Sequence, residues 1–405
     1  MRDILHCDLN NFFASCEMLE NPELRDYPLA VGGSETDRHG VVLAKNYLAK
    51  EKGIQTGMSL YQAKKLCPNI VFVEPHFDLY SKYSKMVREI FLRYSDRVEP
   101  FSIDECWIDV THSKIFGTPK EIADNIREQV KRETGLTLSI GVSFNKIFSK
   151  LGSDLKKPDA TTCITRDNFK DIVWKLEVSS LLGIGKQTAL KLKKYGIDTI
   201  GDLANTDLKF IEGLLGKVGT DLYNYANGTD DTPVEVYSDN YIPKSVGNST
   251  TFYKNLTNLQ EIELGFTVLC ENVVARMIRY SLDRARTLTI TVKDKNLEVY
   301  TKQIKLKIPS RDSMMFTDVC MDLFNKNFKT IPDIRLLGVS VSDFINGNTD
   351  IQLSFFDTPK NKDIDKVMLK IRNKYGYSSI VKGNNLYDKR IANTFNDEYD
   401  NKEEK

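Results

Sequence analysis

Three acidic residues are the first candidates for chemistry. Asp8 closes the apolar run Ile4-Leu5-His6-Cys7-Asp8-Leu9, and the pair Asp104-Glu105 opens a second run, Cys106-Trp107-Ile108-Asp109-Val110. Carboxylates held together at the ends of neighbouring core strands are costly unless a cation neutralises them. Hard oxygen donors in a chain with only four histidines suit Mg²⁺ or Mn²⁺. Two such ions can activate a hydroxyl nucleophile and stabilise a leaving pyrophosphate. Taken singly, Asp8 fits an ordinary strand-end acid just as well. The adjacent Asp104-Glu105 pair inside an apolar stretch is what turns the reading toward metal.

The elements that must hold these acids are those of an α/β platform. Asp3 to Leu9, Val41 to Ala44, Glu105 to Val110 and Leu136 to Val142 read as strands. Leu60 to Leu66, Tyr80 to Tyr94, Lys120 to Glu133 and Asn145 to Leu155 carry helical periods. From Asp167 to Gly228 the chain turns to short helices broken by glycines, and Asn227 to Pro233 is rich in turn residues, so the polar stretch to Pro243 is expected to act as a tether. A further domain begins near Lys244. Leu288, Ile290 and Val292 alternate with Thr289, Thr291 and Lys293, and the same alternation marks Ile304, Leu306 and Ile308 and then Leu337, Val339 and Val341. Helical periods over Leu259 to Tyr280 and Ser313 to Phe324 complete a βαββαβ layout with helices on one face and an open face of hydroxyls and lysines. The last fifty or so residues are polar, and their end is expected to be disordered.

Five blocks bring a family into view: Asp8-Leu9-Asn10-Asn11-Phe12-Phe13-Ala14-Ser15-Cys16-Glu17, Ala44-Lys45-Asn46-Tyr47-Leu48-Ala49-Lys50, Ser102-Ile103-Asp104-Glu105, Ser139-Ile140-Gly141-Val142-Ser143-Phe144-Asn145-Lys146 and Lys156-Lys157-Pro158. In order and spacing they resemble the Y-family translesion DNA polymerases of the DinB/UmuC type, over Met1 to about Phe356. The resemblance implies an α/β (α+β) right hand: palm at 1–10 and 76–165, fingers at 11–75, helical thumb at 166–232, linker at 233–243, a βαββαβ little finger at 244–347 and a tail from 348. It implies error-prone, template-directed synthesis with two Mg²⁺ ions, Mn²⁺ serving in their place, held by Asp8, Asp104, Glu105 and the main-chain carbonyl of Leu9. The turn through Asn11, Phe12 and Phe13 would offer backbone N–H groups to the incoming triphosphate, with Tyr47, Lys50 and Lys157 on its outer phosphates and Phe13 as a steric gate against a ribose hydroxyl. Three departures touch nucleotide binding rather than the acids. Lys50 stands where many members carry arginine, whose planar fork grips phosphate bidentately; Asn11 replaces a tyrosine; and Lys157-Pro158-Asp159-Ala160 replaces a lysine-proline-asparagine-glycine run.

Two further motifs concern partners. Leu181-Leu182-Gly183-Ile184-Gly185-Lys186 followed by Lys191 resembles a helix-hairpin-helix, in which Gly183, Gly185 and Lys186 would meet a DNA phosphate without reading sequence. Gln352-Leu353-Ser354-Phe355-Phe356 resembles the peptide by which bacterial polymerases bind their sliding clamp, with Leu353, Phe355 and Phe356 as apolar plugs. Residues Lys244 to Phe344 hold 15 Lys and Arg against 11 Asp and Glu, a mild excess suited to a duplex backbone. Over the whole 405 residues the net charge is +1, with 41% hydrophobic and 28% charged residues, a globular balance that neither demands nor excludes nucleic acid. Seven scattered cysteines without a C-x-x-C pair argue against a disulfide framework or a zinc site. With no apolar run near the ~18 residues of a membrane span and no signal-peptide layout, a cytoplasmic monomer working on primer-template DNA and dNTPs is expected. A template-free nucleotidyl transferase and a silent DNA-binding scaffold are the rival readings, and primer extension separates all three.

Overall fold

The first strand sets the layout, because every residue from Ile4 to Leu9 is buried. A strand covered on both faces must be apolar on both, which is why its sequence shows a continuous run rather than alternation. The structure, a computed structural model, describes residues 2–33, 40–238, 242–328, 333–345 and 364–393. They form two compact units, one built from the described chain up to residue 238 and the other from residue 242 onward.

The first unit begins β1 (Ile4–Leu9), α1 (Phe12–Glu20), β2 (Leu29–Gly32), β3 (Val42–Lys45), α2 (Tyr47–Glu51), α3 (Leu60–Leu66), β4 (Val71–Val73) and α4 (Phe77–Phe91). It continues with β5 (Val98–Pro100), β6 (Glu105–Asp109), α5 (Pro119–Thr134), β7 (Leu138–Ser143), α6 (Lys146–Leu155) and β8 (Thr161–Ile164). A five-stranded sheet of order β5-β6-β1-β7-β8 has β1 at its centre, antiparallel to both β6 and β7. On one face Leu5, Cys7 and Leu9 share a core with Val87 and Ile90 of α4 and Ile126 and Val130 of α5. The other face carries His6 and Asp8 and is covered by α6. Helix α5 is sharply bounded: Thr118 and Glu121 form a capping box, Pro119 takes the first turn, and Gly135 ends it with φ 74°. A separate three-stranded sheet, β3-β2-β4, packs on α2 and α3 around Ala30, Val42, Ile54 and Leu60.

Short helices follow: α7 (Phe169–Val173), α8 (Lys186–Lys193), α9 (Ile200–Asn205), α10 (Leu208–Leu215) and α11 (Lys217–Ala226). Their core is continuous with Phe144, Phe148 and Leu151 at the start of α6. The stretch expected to be a tether is in part fastened down. Arg2 donates to the carbonyls of Asp231 (2.6 Å) and Thr232 (3.0 Å), Val234 is fully buried beside Ile4 and Trp107, and Arg88 lies 5.4 Å over the Tyr237 ring.

The second unit is β9 (Ser245–Leu256), α12 (Leu259–Arg279), β10 (Arg284–Asp294), β11 (Val299–Ser310), α13 (Ser313–Asn327), β12 (Ile334–Ile345), α14 (Ile364–Tyr375) and α15 (Lys389–Ala392). The βαββαβ order is as expected, with one antiparallel sheet of order β11-β10-β12-β9. Leu288, Ile290, Val292, Leu337, Val339 and Val341 all enter the core, as their alternation implies. The third alternating run behaves differently: Leu306 is buried, but Ile304 is 41% exposed, β11 being an edge strand of the sheet. The end of the tail, for which disorder is expected, lies outside the described residues, whereas residues 364–393 before it are folded. Ile391 and Ala392 join the core of α12, and Arg372 donates to Glu271 at 2.9 Å with both side chains under 5% exposed. Weak periodicity hid this segment, since it is anchored by a buried ion pair as much as by apolar burial. All seven cysteines are free, and all but Cys163 are buried.

Candidate active site

Asp8 and Glu105 face each other as cross-strand partners in the β1–β6 register, so the sheet itself brings the two carboxylates together. Asp104 precedes β6, and its carbonyl accepts from the Leu9 N–H at 3.0 Å, fixing it against the end of β1. The Asp104 carboxylate accepts from Ser102 Oγ at 2.5 Å. Above Asp8 and Glu105 lies α6, which can sit this close because Gly141 of β7 has no side chain. A Cβ there would fall 1.9 Å from the Ser149 carbonyl oxygen and 2.5 Å from the Ser153 nitrogen.

Helix α6 delivers lysines onto the acids. Lys150 Nζ lies 2.5 Å from Glu105 Oε1, 3.4 Å from Asp8 Oδ2 and 3.3 Å from Asp154 Oδ2. Lys157, just beyond the helix, lies 2.8 Å from Asp8 Oδ2 and 3.0 Å from Asp154 Oδ1. Burial pushes the Glu105 carboxyl up to about 7; the Lys150 ammonium opposes that, and a hydrogen bond shared with Asp8 adds to it. His6, two residues before Asp8, bonds Ser153 Oγ through Nδ1 at 2.8 Å, and burial together with the two lysine charges keeps its imidazole well below the ordinary range and so neutral. Among the described residues no group of three or more His, Cys, Asp or Glu side chains is drawn together as a metal cluster. The donors nonetheless fit a divalent cation. They are all oxygen, two are in register, and burial, with a smaller part from Asp8, already raises Glu105, a cost that a bound cation would relieve.

Asn10 and Asn11 form the tight turn between β1 and α1. Asn11 takes the left-handed conformation at φ 49°, tolerable for asparagine, and the Asn10 side chain bonds Ser139 Oγ (3.1 Å) and the Asp159 N–H (2.8 Å). Phe12 is buried at 3%, so only its backbone can face a ligand. Phe13 is half-buried and stacks on Tyr80 at 4.1 Å and 10° between planes, with Phe77 edge-on at 6.1 Å. Tyr80 is held in turn by its hydroxyl donating to Glu17. Tyr47 and Lys50 share the short helix α2, the Lys50 ammonium lying 5.6 Å from the Tyr47 ring centre. Burial raises the Tyr47 phenol, against the nearby charge of Lys157.

Gly183 and Gly185 are exposed in the turn before α8, which Lys186 opens, and Gly183 has φ 91°, a conformation costly for other residues. Lys191, further along α8, donates to the Leu214 carbonyl at 2.7 Å. The peptide Gln352, Leu353, Phe355 and Phe356 lies outside the described residues. Sequence reasoning missed Lys150, Asp154 and His6. The spacing of Lys146, Lys150 and Asp154 along one face of α6 was the available signal, but nothing in it said which face meets the acids.

The model of the impB/mucB/samB family matches residues 7–154, that of its C-terminal domain residues 243–355, and that of the DNA polymerase-iota thumb domain residues 179–230. The chain belongs to this family, the Y-family DNA polymerases, which copy DNA in translesion synthesis and depend on divalent metal. It is 44% identical to DNA polymerase IV of Acetivibrio thermocellus, over 96% of this chain and 99% of that one. It is 36% identical to DNA polymerase IV 1 of Bacillus subtilis, over 95% and 93%. A solved Y-family DNA polymerase chimera superposes with a TM-score of 0.75 at 25% identity, covering 85% of this chain and all of that one. No helix among the described residues is long and apolar enough to cross a membrane.

Proposed function

We propose that the chain adds deoxynucleotides to a primer 3′-hydroxyl opposite a template, with two Mg²⁺ ions held by Asp8, Asp104, Glu105 and the Leu9 carbonyl. The observation that carries the reading is the in-register pair Asp8 and Glu105 with two lysine ammonium groups at 2.5–3.4 Å, a site of concentrated and compensated charge. Bound divalent ions would supply activation of the 3′-hydroxyl and neutralisation of the pyrophosphate. The chain's own residues bind and orient. The N–H groups from Asn11 to Phe13 receive the triphosphate, Tyr47, Lys50 and Lys157 grip its outer phosphates, and Phe13, braced by Tyr80, limits room beside the sugar. The exposed turn at Gly183, Gly185 and Lys186 holds the DNA backbone without regard to sequence. Glutamine-anchored, aromatic 352–356 docks on a sliding clamp, and the protein works as a monomer in the cytoplasm.

Asp104→Ala with Glu105→Ala is expected to abolish Mg²⁺-dependent primer extension while duplex binding stays within about twofold of the parent, since neither carboxylate is assigned to DNA. Normal extension by the double variant overturns the assignment.

A further inference from the structure

We infer that Lys150 is the internal counter-ion of Asp8 and Glu105, and that Asp154, one turn further along α6, is the carboxylate that receives it when a divalent cation binds. This rests on the metal assignment proposed above. The ammonium already stands between both sets of partners, 2.5 Å from Glu105 and 3.4 Å from Asp8 on one side and 3.3 Å from Asp154 on the other. Moving between them takes side-chain rotation alone. The backbone is held in place: Ser153 Oγ donates to the Lys150 carbonyl at 2.8 Å and meets His6 Nδ1 at 2.8 Å, and the contact with Gly141 fixes the helix against the sheet.

Charge and burial decide the direction of exchange. Asp8 and Glu105 have side chains only 9% and 16% exposed, so without a cation they need Lys150 as partner. A dication bound to them repels an ammonium a few ångströms away. A lysine 15% exposed cannot be left there unpaired, and the half-exposed Asp154, at 49%, offers a partner within reach. Lys157 is poised in the same manner between Asp8 and Asp154. Metal binding at this site is therefore an exchange of cations, and Asp154 acts as a positioning residue that makes the exchange possible without strain.

The test is Mn²⁺ binding to the full chain without DNA or nucleotide, followed by electron paramagnetic resonance of free Mn²⁺, alongside thermal melting. Lys150→Met should tighten Mn²⁺ by about tenfold or more, since a competing charge is gone. It should also melt earlier than the parent without metal, and recover in saturating Mn²⁺. Asp154→Asn should weaken Mn²⁺ several-fold, and this effect should shrink in the Lys150→Met background to the part carried by Lys157, because the Lys150–Asp154 contact is then gone. Unchanged or weaker Mn²⁺ binding by Lys150→Met overturns the counter-ion role, and equal weakening by Asp154→Asn in both backgrounds overturns the hand-over in favour of a simple field effect. Lys150→Gln replaces Lys150→Met if that variant does not fold. Glu105→Gln separates the two levels: parental Mn²⁺ binding by it overturns the metal assignment and with it this inference, whereas lost binding leaves the assignment standing whatever Lys150→Met does.

Discussion

At Asp159 a departure from the family's usual asparagine becomes intelligible. The residue has φ 49°, which aspartate tolerates much as asparagine does, and its N–H donates to the Asn10 side chain at 2.8 Å. What the carboxylate adds is an ion pair: Arg127 donates to Oδ1 at 2.7 and 3.1 Å, and Lys131 to Oδ2 at 3.1 Å. Burial works to raise this carboxyl, but the bonds from Arg127 and Lys131 outweigh it and hold it below its ordinary 3.8. A carboxyl depressed in the folded state stabilises the protein above its unfolded value, and that contribution is lost as the pH falls through the folded value. Asp159→Asn should thus cost about 1 kcal/mol near pH 6, discounted for partial exposure. Urea midpoints of variant and parent should begin to converge only below about pH 4 and close as the pH falls through the lower folded value, where the parent's carboxyl protonates in the folded state. A constant gap down to pH 3 is the contrary result. Lys50 is a different matter, since nothing in the structure explains its presence in place of arginine.

Among the elements, α6 is the one on which the site depends. It places Lys150 and Asp154, its N-cap Asn145 accepts from the Phe148 N–H at 2.8 Å, and its first turns belong to the core of the helices that follow. Its closeness to the sheet is set by Gly141, where even one methyl group would meet backbone atoms that have nowhere to go. Gly141→Ala is expected to lower stability by more than about 2 kcal/mol. Primer extension should fall as well at temperatures where the variant is still folded, because Lys150 and Lys157 are carried away from Asp8. A parental melting temperature would show that α6 does not lie as close as described. The alternation that announced β10 and β12 succeeded because both strands are interior, with one face on a continuous core. It failed for Ile304 because an edge strand can keep an apolar pattern without anything to cover it.

For the whole molecule, two units with separate cores share the work, and the peptide at 352–356 follows β12 of the second. Replacing Leu353, Phe355 and Phe356 with alanine is expected to remove stimulation of synthesis by the clamp and to leave basal extension as it was, since none of the three belongs to the acidic site. Undiminished stimulation refutes the clamp assignment. The second unit is completed by residues 364–393, whose Arg372–Glu271 pair and Asp388–Tyr253 bond (2.8 Å) tie them to α12 and β9.

What the sequence determined by itself was whatever is local or periodic: the strands ending at Asp8 and opening at Glu105, the βαββαβ order, the glycine turn at Gly183, and five motif blocks whose order marks the family. The alternations and helical periods also gave the apolar faces of β10, β12, α4 and α5. Only the tertiary structure decided which charges meet. Lys150 and Glu105 are 45 residues apart and Lys150 and Asp8 142, and the buried Arg372–Glu271 pair spans 101. Pairings at such separations leave no periodic trace, because they are fixed by strand register and by how closely a helix can approach a sheet. The three acids were legible early; the lysine that balances them became visible only once α6 was seated on Gly141.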